Sequence, residues 1–315
     1  PGRGPNPRLT HPGKGASMIR RLSAVAFATL VASAPLAGQQ GLKVYISADM
    51  EGVVGTVTSD QLGPSGFEYQ RFREIMTAEV NAAIAAARQA GATEILVSDS
   101  HGNGENLLLE KLPQDIQLVR SWPRPLGMME GIDESFDAVF FIGYHASTDN
   151  VRGVRAHTLS SANLTGIRLN GRAMPEAGIS AAIAGHFGVP VVMLSGDDAI
   201  AEEATTLLGD LETAVTKWSI SFHSARTLMP EASYALIGEK VRAALARVGD
   251  LRPYRLQGPV TLEMSFKNYT PAELLAYLPG VERVDAHTIR YVGKDMVEVS
   301  RFLEFATGYQ VDLTP

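Results

Sequence analysis

"YISADMEGVVGT" (Tyr45–Thr56) starts as an apolar strand-type run and breaks into Asp49, Met50, Glu51 and Gly52. Leu42 to Ala48 form the strand, and a glycine-punctuated loop containing Pro64 follows as far as Gly66. Beyond it, Phe72, Ile75, Met76, Val80, Ala83, Ile84 and Ala87 recur at helical spacing until Gly91. The order is strand, loop, helix. Three more apolar runs repeat the theme at Ile95–Val97, Ala138–Ile142 and Val189–Leu194. Continuous apolar runs suit parallel strands buried on both faces, whereas half-exposed strands alternate. Residues 42–200 therefore read as an α/β domain, a mostly parallel sheet with flanking helices.

Each run ends in polar residues: Asp49-Met50-Glu51-Gly52, Asp99-Ser100-His101-Gly102, Gly143-Tyr144-His145 and Gly196-Asp197-Asp198. In open α/β sheets the ligand crevice lies outside the carboxyl ends of the strands, so these ends are expected to converge. Asp49 and Glu51 are two residues apart, which places both carboxylates on one side if the strand continues through them. An acid-and-glycine turn in solvent explains either one alone. Joined by His101 and His145, they make an oxygen and nitrogen donor set suited to zinc, manganese or cobalt. Glu176 opens a helix, where a carboxylate also complements the helix dipole. His157, in "GVRAHTLSS", could equally be a surface histidine, and His186 and His223 have no comparable setting.

Asn170-Gly171, between two short runs, signals a hairpin. A helix with Pro175 in its first turn and Gly188 past its end comes next. Further helices are expected near residues 199–208 and 229–247, alternating strands at Pro259–Phe266 and Val281–Gly293, and a last helix near Met296–Ala306. Residues 201–315 read as a smaller C-terminal α+β lobe.

Residues 1–17 are rich in Pro and Gly with little to pack, an upstream extension. From Met18, Arg20 and Arg21 precede the apolar run Leu22–Ala34, and small residues continue to Gly38, a secretory signal pattern too short to span a bilayer. An exported, periplasmic or secreted protein without stable membrane insertion is expected. The formal charge is −6, and removing residues 1–38 would take away five positive charges and no acid, giving −11. That balance, with no basic run, argues against nucleic acid as a partner. Hydrophobic residues make up 45% of the chain and charged ones 20%, a globular composition. There is no cysteine, so disulfides and thiolate metal sites are excluded and any metal rests on histidine and carboxylate.

"KVYISADMEGVVGT", "EILVSDSHG", "FFIGYHA", "GVRAHTLS", "AMPEAG" and "PVVMLSGDD" occur in this order, with "SFKNY" and "LPG" in the second lobe. The set resembles the zinc-dependent D-aminopeptidases of the DppA type, a metallopeptidase family. The resemblance implies two zinc ions on Asp49, Glu51, His101, His145 and Glu176, with Asp49 as the bridge. It implies His157 as the catalytic nucleophile, although the spacing from His145 is one residue longer than the family pattern. It further implies a ring-shaped homo-oligomer, a decamer in the best-known form, and short peptide substrates opened from a D-residue N-terminus, D-Ala-D-Ala among them. The family prototype works inside the cell, and the export signal departs from that.

Two other readings compete. "DMEGVVGT" and Gly196-Asp197-Asp198 echo haloacid-dehalogenase-type phosphatases, with Asp49 as nucleophile and magnesium as cofactor. That motif requires Asp where Glu51 stands and Thr where Val53 stands, and it gives His101 and His145 no role. A non-catalytic exported protein binding a small ligand in the crevice is the other.

Overall fold

The computed structural model describes residues 41–309 together with Pro1 and Gly2. The expected signal peptide, and all but the first two residues of the extension before it, lie outside the described residues.

The first sheet is built on β1 (Leu42–Ala48), whose last five residues are completely buried. Their alternation gives the sheet two apolar faces. Val44, Ile46 and Ala48 face one core and Tyr45 the other. β1 pairs in parallel with β2 (Ala92–Asp99), reached through α1 (Tyr69–Gln89), and β2 pairs in parallel with β3 (Gln117–Val119). On its other side β1 pairs in parallel with β4 (Ala138–Tyr144). Phe140 of β4 joins the core under α1, while Phe141 stacks on Tyr144 in the opposite one. Each such fully buried aromatic contributes about 2–3 kcal/mol relative to exposure.

The chain then forms a hairpin of β5 (Leu164–Leu169) and β6 (Arg172–Ala173). Its Asn170-Gly171 turn has positive φ at both residues, as a type I′ turn requires. Helix α2 (Glu176–His186) leads to β7 (Val191–Asp197), parallel to β4, and α3 (Asp198–Leu208) leads to β8 (Glu212–Ser221), parallel to β7. β9 (Ser224–Thr227) folds back antiparallel on β8, and α4 (Pro230–Ala246) packs beside α1. The seven-stranded order is β3-β2-β1-β4-β7-β8-β9.

β10 (Val260–Phe266) starts the remainder, followed by α5 (Tyr269–Leu275), β11 (Val281–Arg283), β12 (Thr288–Gly293) and α6 (Met296–Gly308). In β10 Val260, Leu262, Met264 and Phe266 are buried and the residues between them are not, as the alternation predicts. These strands form a second, antiparallel sheet in the order β11-β12-β10-β5-β6.

The fold is the expected α/β type. The sheets do not divide at residue 200, however. β8 and β9 extend the first sheet past that point, and β5 and β6, from before it, complete the second. The described residues from 41 onward all fall in one compact unit. Sheet order also locates the crevice. From β1 the chain winds outward to β2 and β3, whereas from β4 it winds the other way to β7. The switch point therefore falls between β1 and β4, where Asp49 and His145 emerge.

Candidate metal centre

The ends of β1 and β4 press backbone to backbone. The Asp49 N–H donates to the Ile142 carbonyl (2.8 Å) and the Gly52 N–H to the Gly143 carbonyl (2.7 Å). A Cβ on Gly52 would lie 2.0 Å from the Tyr144 carbonyl oxygen, so only glycine fits. Gly143 has φ +73°, a left-handed turn that brings His145 round to the same crevice. The strand itself stops at Ala48, so Asp49 and Glu51 share a side through this tight turn and not through a continued strand.

The structure brings all six sequence-derived site residues together. His101 Nδ1 lies 3.2 Å from Asp49 Oδ1 and 2.9 Å from Glu51 Oε2. His145 Nε2 lies 3.3 Å from Asp49 Oδ2 and 3.4 Å from Glu176 Oε2. His157 Nε2 is 3.7 Å from Glu176 Oε1, and its ring stacks on that of His145 at 4.2 Å. Two donor groups result, Asp49–Glu51–His101 and His145–His157–Glu176, each able to bring one ligand atom per residue within 4.8 Å of the others. Asp49 joins them, with one carboxylate oxygen toward each.

The histidines share a second feature. His101 Nε2 donates to the Leu62 carbonyl (2.7 Å), His145 Nδ1 to the Ala146 carbonyl (3.1 Å) and His157 Nδ1 to the Arg155 carbonyl (2.8 Å). A carbonyl only accepts, so these bonds fix the tautomer of each neutral ring and turn its bare nitrogen toward the carboxylates. Lone pair then faces lone pair. Consistent with this, Asp49 Oδ2, Glu51 Oε2 and His145 Nε2 are buried without any hydrogen bond, despite their close approaches. Such an arrangement is stable only with positive charge among the donors, as protons or as cations.

The electrostatics lead to the same requirement. Burial and the neighbouring Glu51 push the Asp49 carboxyl above its ordinary value. Burial acts on Glu51 too, but His101 outweighs it and holds that carboxyl well below the carboxylate range. Burial alone would lower His101 and His145; instead Glu51 and Asp49 raise the first, and Glu176 and Asp49 the second, well above the usual imidazole value. Protonated imidazoles and bound divalent cations are alternative ways to neutralise the same three acids. The donor chemistry, imidazole nitrogen with carboxylate oxygen, fits zinc.

Glu176 is the first residue of α2 and also accepts the Leu159 N–H on Oε1 (2.7 Å), so its carboxylate is aimed inward rather than left to face solvent at the helix end. Other acids at strand ends do structural work. Asp197 Oδ1 caps α3 through the Ile200 N–H (2.9 Å) and Oδ2 accepts the Val154 N–H (2.7 Å). Asp99 holds the loop after β2 through Asn106 and Leu107. The fourth strand end thus braces the crevice without entering it, which leaves the phosphatase reading without its late acidic motif. His186 and His223 are exposed and do not line the crevice.

The six residues form the floor of a cavity of about 1220 Å³ whose walls include Leu159, Leu164, Ile179, Phe266, Leu275 and Leu303. The α5 and α6 walls were not anticipated from sequence, nor was Lys217, a fully buried lysine of β8 behind the turn. A lone lysine within "TAVTKWSIS" was the available signal for it.

The D-aminopeptidase model of peptidase family M55 matches residues 42–305. The D-aminopeptidase of Bacillus subtilis (strain 168) is 36% identical over 261 residues, covering 82% of this chain and 93% of that one. Among solved structures, the Zn-dependent D-aminopeptidase DppA from Bacillus subtilis, described as a self-compartmentalizing protease, superposes with a TM-score of 0.82 at 35% identity. The match covers 84% of this chain and 97% of that one. By a match that spans both sheets and all six residues of the candidate metal centre, the chain belongs to peptidase family M55, the D-aminopeptidases.

Proposed function

We propose that this peptidase is a binuclear-zinc aminopeptidase that hydrolyses short peptides from the N-terminus, with preference for a D-residue of the D-Ala type. The observation that carries the reading is Asp49, whose two carboxylate oxygens each face a different histidine across a buried space. In this reading Asp49, Glu51 and His101 would hold one ion, Asp49, His145 and Glu176 would hold the other, and manganese or cobalt could take the place of zinc. Bound zinc would polarise the scissile carbonyl and supply the positive charge that amide hydrolysis requires at neutral pH.

The chain's own groups take the remaining roles. His157, with its Nδ1 proton committed to Arg155, presents a bare Nε2 to the crevice and is the catalytic histidine, as nucleophile. The grouping of His157 with His145 and Glu176 supports a second reading in which it ligates an ion. The His157→Ala variant separates the two, since a catalytic residue leaves the metal count intact. A spare carboxylate oxygen in the buried set can hold a free substrate ammonium, which favours cleavage from the N-terminus. The apolar cavity wall excludes water and receives side chains.

We also infer a homo-oligomer, in ring form a decamer. A self-compartmentalizing relative supports this, as do exposed Tyr269, Leu274, Tyr277, Phe305 and Tyr309 gathered on α5, α6 and the segments that follow them. Export to the periplasm or medium is inferred from Met18–Gly38 alone. Among the described residues no helix is long and apolar enough to cross a membrane.

The test is metal analysis of the purified protein combined with hydrolysis assays, before and after chelation. The substrates are D-Ala-D-Ala, its L-counterpart, an N-acetylated D-peptide and a phosphate ester. Two zinc ions per chain and chelator-sensitive cleavage of the free D-peptide are expected. Metal-free protein with undiminished cleavage, or full activity on the blocked peptide, would sink the proposal.

A further inference from the structure

Lys217 lies in β8 with no solvent exposure. Its Nζ donates to the carbonyl oxygens of Glu51, Val53 (3.1 Å) and Thr56 (2.7 Å). An ammonium has three N–H donors and no acceptor, so three carbonyls around one nitrogen satisfy it completely and mark it as charged. The same turn is also held by Glu79 of α1, fully buried as well, whose Oε1 accepts the Val54 N–H (3.1 Å) and the Ser233 hydroxyl (2.7 Å). Strand pairing of β8 with β7 and β9 runs through backbone and needs no lysine there. For packing alone an apolar side chain would serve better, because an ammonium must be stripped of water before its partners can repay that cost. What an apolar side chain cannot do is draw three carbonyls of one six-residue turn onto a single point. One of the three belongs to Glu51, so the peptide plane next to the Cα that carries this carboxylate is fixed by Lys217.

We propose that Lys217, with Glu79 as its counterpart, is the positioning residue that sets Glu51 toward His101 for metal binding. The inference rests on Glu51 being a metal ligand. Its effect is confined to one corner of the centre. Asp49 is held separately by the Ile142 carbonyl, and His145 and Glu176 come from the end of β4 and from α2, which Lys217 does not touch.

The experiment is zinc titration of full-length Lys217→Met against a chromophoric chelator, with the absorption spectrum of the cobalt-loaded protein and far-ultraviolet circular dichroism as a check of folding. One ion is expected to weaken by about ten- to a hundredfold while the other changes by no more than about twofold, as for loss of a group that orients a metal ligand. The cobalt spectrum is expected to change with it. General destabilisation would weaken both ions together, and folded Lys217→Met with both ions at wild-type affinity would overturn the assignment; so would parallel weakening of the two. Where Lys217→Met does not fold, Glu79→Leu, which removes the Val54 acceptor, carries the same expectation and the same refutation. Wild-type protein that binds no ion, or Glu51→Gln that keeps two tight ions, removes the ligand assignment instead. A Glu51→Gln that loses one ion beside an unaffected Lys217→Met removes only the positioning role.

Discussion

Replacing Glu79 by Gln changes the pH dependence of stability in a way the structure specifies. The carboxyl is fully buried, accepts two hydrogen bonds on Oε1 and leaves Oε2 without a partner. Burial pushes its pKa from 4.5 to about 7, against the smaller opposing effects of Ser233, Val54 and Lys217. The folded state therefore holds this proton at pH values where the unfolded chain has released it. Stability from this group is fully present below 4.5 and is lost as pH rises through about 7. At 1.36 kcal/mol per pKa unit, the loss across that window is about 3 kcal/mol. Glutamine keeps an acceptor for the Val54 N–H and the Ser233 hydroxyl but does not titrate. Its amide nitrogen meets no acceptor, a pH-independent cost of about 1–3 kcal/mol. Slope, not offset, is thus the diagnostic quantity. Urea unfolding of wild type and Glu79→Gln from pH 4 to 8 is expected to give a difference that shifts by about 3 kcal/mol in favour of the variant as pH rises. Two parallel profiles would refute the reasoning and place the Glu79 carboxyl at an ordinary pKa.

Chelation is expected to lower the melting temperature, because ions that bind only the folded chain at a free concentration a thousandfold above Kd contribute about 4 kcal/mol; a scan unchanged by chelator would count against resident metal. His145→Ala should lose zinc and His157→Ala should keep it while losing turnover, as read by metal analysis beside a D-Ala-D-Ala assay; a fully active His157→Ala ends its catalytic assignment. Gly52→Ala would force a Cβ to within 2.0 Å of the Tyr144 carbonyl oxygen. The turn must lift off β4, costing about 1–3 kcal/mol and weakening zinc binding; a variant with wild-type stability and metal content would show that the close approach is dispensable.

Legibility in the sequence follows from how each feature is encoded. β1, β2, β4 and β7 are continuous apolar runs because they are buried on both faces, so their positions and parallel pairing could be read directly. The candidate ligands were legible for the same reason, since Asp49, His101 and His145 interrupt such runs at their carboxyl ends. β8 was not legible. "ETAVTKWSIS" mixes Thr, Lys and Ser because the strand is only partly buried and carries Lys217 inward, which blurs both periodicities. β3, at three residues, and α5, at seven, are too short for any pattern to accumulate. The partition of strands between sheets escaped as well. Nothing local states that the β5–β6 hairpin, lying between two strands of the first sheet, will pair with β10 almost a hundred residues later.

The turn after β1 shows why local reading gives the candidate ligands but not their support. Glu51 alone is an acid in a glycine-rich loop, and its sequence context allows many orientations. Its position is fixed by groups remote in sequence: Gly143 of β4, which the Gly52 N–H reaches, His101 at the end of β2, and Lys217 of β8. Gly143 and Lys217 come from β4 and β8 and His101 from just past the end of β2, and the order of the parallel sheet brings all three to one place. Moving Lys217 one residue along β8 would turn its side chain to the opposite face, and a one-residue slip of β4 would take the Gly143 carbonyl away from the Gly52 N–H. The register of the parallel sheet is therefore itself a condition of the donor arrangement, and substitutions that shift the β1–β4 register should disperse the six residues, and with them the proposed zinc binding, even where every one of them is retained.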